Sequence, residues 1–139
     1  MLELFIKDNN NSFCSWNGRR GSFSFLSAIE ESIQGADLLH RKARKIIKDG
    51  WHNVRPLKSY GKISRQSNGL QPLYYIKDRS SGIRAPFFQY EKSVFIGIFV
   101  FFKKGTDQES LMFKKAEESQ EDIIKWIKEN EKFYKKLIS

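Results

Sequence analysis

The sequence predicts an α+β domain, a helical hairpin packed on a small, mostly antiparallel sheet with a C-terminal helix. Three stretches carry that prediction. Residues 71–105 read as three consecutive strands separated by two polar turns, residues 22–48 hold two apolar runs at helical spacing, and residues 106–137 hold a third. At 139 residues the chain suits one domain, 1–139, and its 40% hydrophobic and 14% aromatic content argues for a folded globule.

Residues 2–6 alternate apolar and polar side chains loosely and suggest a first strand, closed by a polar loop at 8–12. Phe13, Cys14, Ser15 and Trp16 form a second apolar piece, and Asn17 with Gly18 is a strong hairpin signal, so a two-stranded start is expected. Ser22 or Ser24 can cap the first helix. Its Phe25, Leu26, Ala28, Ile29 and Ile33 fall at helical spacing, Glu30 and Glu31 lie on the far side, and Gly35 should end it. Asp37 is expected to cap the second helix, whose Leu38, Leu39, Ala43, Ile46 and Ile47 oppose Arg41, Lys42, Arg44, Lys45 and Lys48. So short a link predicts an antiparallel hairpin, ended by Asp49 and Gly50. Residues 51–57 read as an irregular connector, in which His52 beside Trp51 suits packing better than catalysis, and residues 58–71 as an exposed basic loop.

The meander follows. Residues 73–77 form its first strand, and Asp78 to Gly82 supply turn chemistry. Residues 83–90 return, with Pro86 implying an edge position or a bulge. After Glu91, Lys92 and Ser93, residues 94–102 are apolar with one glycine, and are expected to be the central strand, buried on both faces. Lys103 and Lys104 should face opposite sides of the pleat, so that at least one looks into a cleft. Thr106 and Glu109 match a capping box, opening a helix that pauses near Ser119 and resumes with Ile123, Ile124, Ile127, Phe133 and Leu137.

The net charge of +9 is concentrated. Residues 40–104 carry 15 Lys/Arg against 3 Asp/Glu, while residues 1–39 and 105–139 come to −2 and −1. A polyanion bound by the middle section is the direct reading, and nucleic acid is the favoured one; lysines that merely keep the protein soluble are the plain alternative. Cys14 alone cannot form an internal disulfide, no apolar run approaches the ~20 residues of a membrane span, and the start does not resemble a signal peptide. A cytoplasmic protein without membrane contact is expected. There is no Cys/His cluster with metal-ligand spacing, no P-loop and no dinucleotide-binding glycine fingerprint, so neither a metal nor another cofactor is expected. His40 and His52 are scattered, and no nucleophile and base pair emerges from spacing. Catalysis would rest on Arg, Lys and Tyr, which can stabilise a phosphorane-like transition state by charge while an RNA 2′-hydroxyl supplies the nucleophile.

The order of strand, helical hairpin, basic connector and three-strand meander resembles the RelE/ParE/HigB superfamily of type II toxin-antitoxin toxins. The matching pieces are Leu73, Tyr74, Tyr75, Ile76 and Lys77 for the family's strand of the type Leu-Tyr-Glu-Leu-Arg, Ile83 and Arg84 for its arginine-bearing strand, and Phe101, Phe102, Lys103 and Lys104 for its Phe-x-Lys-Lys strand end. Ala116 stands about where the family places an alanine on the following helix, and coverage is roughly residues 37–118. The resemblance implies a RelE-like domain with an N-terminal extension. It implies an mRNA interferase, an endoribonuclease acting commonly on the ribosome, held in check by a cognate antitoxin. Arg84 would stabilise the transition-state phosphate, and Lys77, Lys103 and Lys104 would position RNA or share that charge. Lys77 stands where arginine is usual and would hold phosphate as a point charge. Tyr75 and Tyr90 would stack a base or move a proton, packing being the plainer role for each. Lys58, Lys62 and Arg65 complete the RNA-binding set.

A ParE-like toxin that inhibits DNA gyrase, and a non-catalytic nucleic-acid-binding or interaction domain, are the alternatives. The toxin reading expects the hairpin on one face of the sheet and a concave, basic other face. One patch would then gather the 37–48 helix, the 58–65 loop, Lys77, Arg84 and Lys103. If Arg84 does not face a cleft, pairing on the sheet surface with an acid such as Asp78 or Glu91 is expected instead.

Overall fold

The computed structural model describes residues 1–18, 23–63 and 70–139. Its elements run β1 (Leu2–Asp8), β2 (Asn11–Trp16), α1 (Phe25–Glu30), α2 (Ala36–Asp49), α3 (Trp51–Val54), β3 (Tyr60–Ile63), β4 (Leu73–Lys77), β5 (Ile83–Glu91), β6 (Val94–Gly97), β7 (Phe101–Phe102), α4 (Thr106–Glu129) and α5 (Glu131–Ile138). The described strands make one sheet in the order β1-β2-β6-β5-β4-β3, with β7 pairing the start of β5. Among the described residues only β2 and β6 run parallel; the other pairs are antiparallel. The fold is α+β, as the sequence predicts.

Alternation along the strands gives the sheet two apolar faces. Phe13, Ile76, Ile83, Ala85, Phe87 and Phe95 pack with Phe25, Leu39, Ala43, Ile46, Ile47 and Trp51 from α1, α2 and α3. Cys14, Leu73, Phe88, Val94 and Ile96 pack on the other side with Met112, Ala116, Ile123, Ile127 and Tyr134 from α4 and α5. The face expected to be concave and basic is therefore covered. The cause lies in α4 itself, whose apolar positions recur at helical spacing and need a surface on which to bury them. No helix among the described residues is long and apolar enough to cross a membrane.

Several local expectations shift. The β1–β2 hairpin turns at Asn9 and Asn10, where Asn9 adopts a left-handed φ of 53°, and not at Asn17 and Gly18. The Asn17 N–H is instead bonded to the Met1 carbonyl at 2.8 Å. Ser24 caps α1, in a reciprocal pair with Ser27; Ser22 lies outside the described residues. Gly35 opens α2 and Asp37 sits inside its first turn without capping it. Residues 51–54 close into a helical turn, and residues 60–63, read as part of a loop, form the edge strand β3. Tyr60 and Ile63 anchor that short strand to opposite cores, a division too brief to show as a pattern in the sequence.

The run at 94–102 is interrupted after Gly97. A side-chain carbon at Gly97 would come 2.6 Å from the Phe25 ring, so the missing Cβ lets α1 seat directly on the sheet. The same interruption accommodates Pro86, which lies inside the sheet and not at an edge. The Pro86 carbonyl accepts the Ile98 N–H at 2.9 Å, so its donorless nitrogen faces the same side, where β6 has ended and β7 has not begun. Finally, α4 does not pause at Ser119. Ser119 and Gln120 are buried, Gln120 Nε2 donates to the Gln71 carbonyl at 2.9 Å, and the helix breaks only at Asn130.

Candidate functional site

Strand parity gathers four of the singled-out residues. Tyr75 and Lys77 share the α4 side of β4 with Leu73, Lys77 lies directly across from Arg84, and Arg84 lies across from Phe101 in the same core. Lys103 follows two positions later. Tyr75, Lys77, Arg84 and Lys103 thus occupy one face and one end of the sheet, beside the first turn of α4. Lys58 belongs to the same end, because the Lys77 N–H donates to the Ser59 carbonyl at 2.8 Å.

Arg84 is the centre of this group and is only 8% exposed. Its Nε donates to Glu109 Oε2 at 2.9 Å, and its Nη1 donates to the carbonyls of Ile83 at 2.8 Å and Asp78 at 3.4 Å. Lys103 Nζ stands 3.7 Å from the other oxygen, Glu109 Oε1. One carboxylate therefore bridges a guanidinium and an ammonium. Pairing with the Asp78 or Glu91 carboxylate does not occur; Asp78 gives Arg84 only its backbone oxygen and spends its side chain on Ser80 and Ser81.

Glu109 was expected in a capping box, and the helix does begin at Thr106. Yet its N-cap is Gly105, with no side-chain cap bond. The turn is fastened by Gln108, whose Oε1 accepts the Lys104 N–H at 3.0 Å and whose Nε2 donates to the Phe102 carbonyl at 3.2 Å. Glu109 is left to reach the cations, at a helix N-terminus that favours its charge.

Tyr75 sits between Gly61 and Phe113, its ring tilted 39° to that of Phe113. Its ring centroid is 4.7 Å from that of Phe113, and a side-chain carbon at position 61 would overlap the phenol. Burial, and then the Glu109 carboxylate, raise its pKa, with Arg84 opposing. At neutral pH it is a phenol, able to donate a hydrogen bond and poorly suited to act as a base.

The remaining residues are not brought here. Tyr90 lies at the far end of β5, edge-on to Tyr134 at 5.5 Å. Lys62 has the parity of Tyr60 and so belongs to the α2 side. Lys104 is exposed at the turn, and Arg65 lies outside the described residues. Arg41, Arg44, Lys45 and Lys48 are exposed on α2, which covers the opposite face, so the single basic patch is divided by the thickness of the sheet. His40 packs against Phe5 and His52 is exposed. Among the described residues no three His, Cys, Asp or Glu side chains converge as a metal site would require.

Arg84 and Lys103 offer a planar fork and a point charge around one anion-sized position. That position suits a phosphate oxygen pair as well as a carboxylate. The sequence signal for Glu109 was present as an acid in a first helical turn, but Gln108 and Gly61 had none. Comparison with protein-family models, with curated proteins and with solved structures found no match.

Proposed function

We propose that the chain is the toxin of a type II toxin-antitoxin system, an mRNA interferase in which an RNA 2′-hydroxyl attacks the adjacent phosphate and gives up its proton to water. The phosphate's bond to the 5′-oxygen breaks, and that oxygen leaves, taking up a proton, as the 5′-hydroxyl of the downstream fragment. The observation that supports this reading is the convergence of Tyr75, Lys77, Arg84 and Lys103 at one end of the sheet. In this mechanism Arg84 neutralises the developing charge on the phosphate, Lys103 and Lys77 hold the flanking backbone, and the neutral Tyr75 donates a hydrogen bond. The RNA or the ribosome would be the target and a cognate antitoxin the inhibitor.

A second reading is favoured by the burial of Arg84 and its bond to Glu109. An arginine so engaged also suits a binding module, whether a ParE-like gyrase inhibitor or a non-catalytic nucleic-acid-binding domain. Expression of the chain in bacteria, followed by ribosome-programmed mRNA cleavage and gyrase supercoiling assays, separates the readings. The interferase reading expects growth arrest and cleavage that falls by ~10²-fold or more in Arg84→Ala, with part recovered in Arg84→Lys. Normal growth with abundant folded protein, or cleavage unchanged in Arg84→Ala, would overturn it.

A further inference from the structure

The position that Arg84 and Lys103 offer to an anion is already filled. Glu109 places Oε2 at 2.9 Å from Arg84 Nε and Oε1 at 3.7 Å from Lys103 Nζ, an arrangement that a phosphate with two free oxygens would reproduce. The two side chains of the Arg84 pair are 10% and 17% exposed, so a phosphate approaching Arg84 Nε and Lys103 Nζ together meets the Glu109 carboxylate already in that place. We infer that Glu109 is an internal competitor for the phosphate site, and that an RNA phosphodiester binds there by displacing it. This rests on the phosphate-binding reading of Arg84 given above.

The local chain is built to let the carboxylate leave without unravelling the helix start. Gln108 holds the turn through Lys104 and Phe102 independently of Glu109, and Glu109 N–H is bonded to the Gly105 carbonyl at 3.1 Å. A change of side-chain rotamer is therefore sufficient. Gly105 itself, at φ 118°, has no atom within 4 Å of where a side chain would be, so the backbone there is unobstructed. Arg84 remains oriented after Glu109 swings away, because its Nη1 is bonded to two backbone carbonyls that do not belong to α4. The site is thus preorganised but occupied. The apparent affinity for phosphate is lowered by the fraction of molecules in which Glu109 stays in place.

Glu109→Gln keeps an oxygen acceptor for Arg84 Nε and removes the charge that opposes phosphate. Asp107→Asn removes one negative charge from the same helical turn at an exposed position, and serves as the electrostatic control. The probe is a fluorescein-labelled single-stranded RNA with 2′-O-methyl groups, which cannot be cleaved, titrated by anisotropy at fixed salt with the folded state of each variant checked by thermal melting. We expect Glu109→Gln to bind about tenfold tighter than the parent protein, Asp107→Asn to stay within about twofold, and Arg84→Ala/Glu109→Gln to lose the gain. Glu109→Asp, which is too short to bridge both cations, should fall between parent and Glu109→Gln. Equal gains in Glu109→Gln and Asp107→Asn would reduce the effect to general charge and overturn the competition, as would a gain that survives without Arg84. Arg84→Ala alone reads the parent proposal. If it weakens binding while Glu109→Gln brings no gain, only the competition fails; if it leaves binding unchanged, the phosphate site fails with it.

Discussion

On the α1–α3 side of the sheet, ring packs on ring. Trp51 meets Tyr60, Tyr74 and Phe87 at centroid distances of 5.5, 4.8 and 5.2 Å, and Phe13 meets Phe25, Phe87 and Phe95 at 5.5, 5.9 and 6.2 Å. On the α4–α5 side the apolar contacts alternate with polar pegs. Glu109 ties the start of α4 to Arg84 and Lys103, Gln120 ties its middle to the Gln71 carbonyl, and Lys7 ties the end of α5 through the Ile138 carbonyl at 3.3 Å. The burial of ring surface is non-directional, with only a modest preference for edge-to-face geometry, whereas hydrogen-bonded pegs fix one position and can be exchanged for other partners. The α1–α3 cover has hydrogen bonds as well, from Asn11 and Tyr60 to carbonyls of α2 and from the Leu26 N–H of α1 to Ser15, but they are uncharged, whereas Glu109 of α4 holds two cations, and it is there that an anionic ligand can be exchanged for a side chain.

The largest effect is expected from removing a ring on the α1–α3 side. Phe87 is fully buried and touches Trp51, Tyr74 and Phe13. Phe87→Ala should lower stability by about 3–5 kcal/mol, the usual cost of a large cavity in a rigid core. Urea unfolding followed by tryptophan fluorescence measures it. A loss below about 1.5 kcal/mol would mean that the rings can collapse into the gap, and that this side is no more tightly held than the other.

A smaller effect is expected at the Arg84 peg. Arg84→Met leaves Glu109 half-buried with only Lys103 for company, and should cost about 2–3 kcal/mol. Arg84→Met/Glu109→Leu removes both charges and should recover much of that loss, because the unpaired carboxylate, more than the missing bond, is the source of the cost. A double-mutant cycle on unfolding free energies checks both statements. Additive losses would show that the two side chains stabilise the fold independently.

The parts of this architecture that were legible from the sequence are those set by neighbours in the chain. Ser24 caps its helix because a hydroxyl three residues from an amide can reach it, and 73–77 and 83–91 are strands because their apolar and branched residues sit between strong turn residues. The grouping of Tyr75, Lys77, Arg84 and Lys103 followed from alternation once strand register was known, and only the structure supplies register. Two features were not legible. The 60–63 strand exists because β4 offers it an edge, and YGKI alone favours neither strand nor loop. Glu109 fits a capping box and an ion pair equally well from its position in the sequence. Its choice depends on Arg84 arriving from a strand 25 residues away, so the sequence pattern named the helix start correctly and the job of the acid wrongly.

The smallest effect is expected at Tyr134 of α5. The Tyr134 hydroxyl is buried in the α4–α5 core and makes no hydrogen bond among the described residues, while its ring stands edge-on to Tyr90 at 5.5 Å. Burial first, and the Glu91 carboxylate next, push its pKa well above the ordinary tyrosine value. Tyr134→Phe keeps the ring contact and removes a desolvated oxygen, so stability at pH 7 should rise by up to about 1 kcal/mol. The sign of the pH dependence follows from the raised pKa. Below about pH 10 both folded and unfolded chains keep the proton and the parent protein is at full strength; above it the unfolded chain releases a proton that the folded chain retains, and stability falls as pH rises. Phenylalanine has no such proton, so the advantage of Tyr134→Phe should widen between pH 7 and about pH 11. The Cys14 thiol, pushed up to about 12 by burial, titrates in the same region, but it is common to both proteins and cancels in the difference. Melting temperatures of the two proteins at both pH values measure this. A difference that stays constant would mean that the hydroxyl reaches water and releases its proton as readily as in the unfolded chain, and that this face of the core tolerates polar groups as easily as it holds its pegs; a hydrogen bond to Glu91 would hold the proton and widen the difference instead.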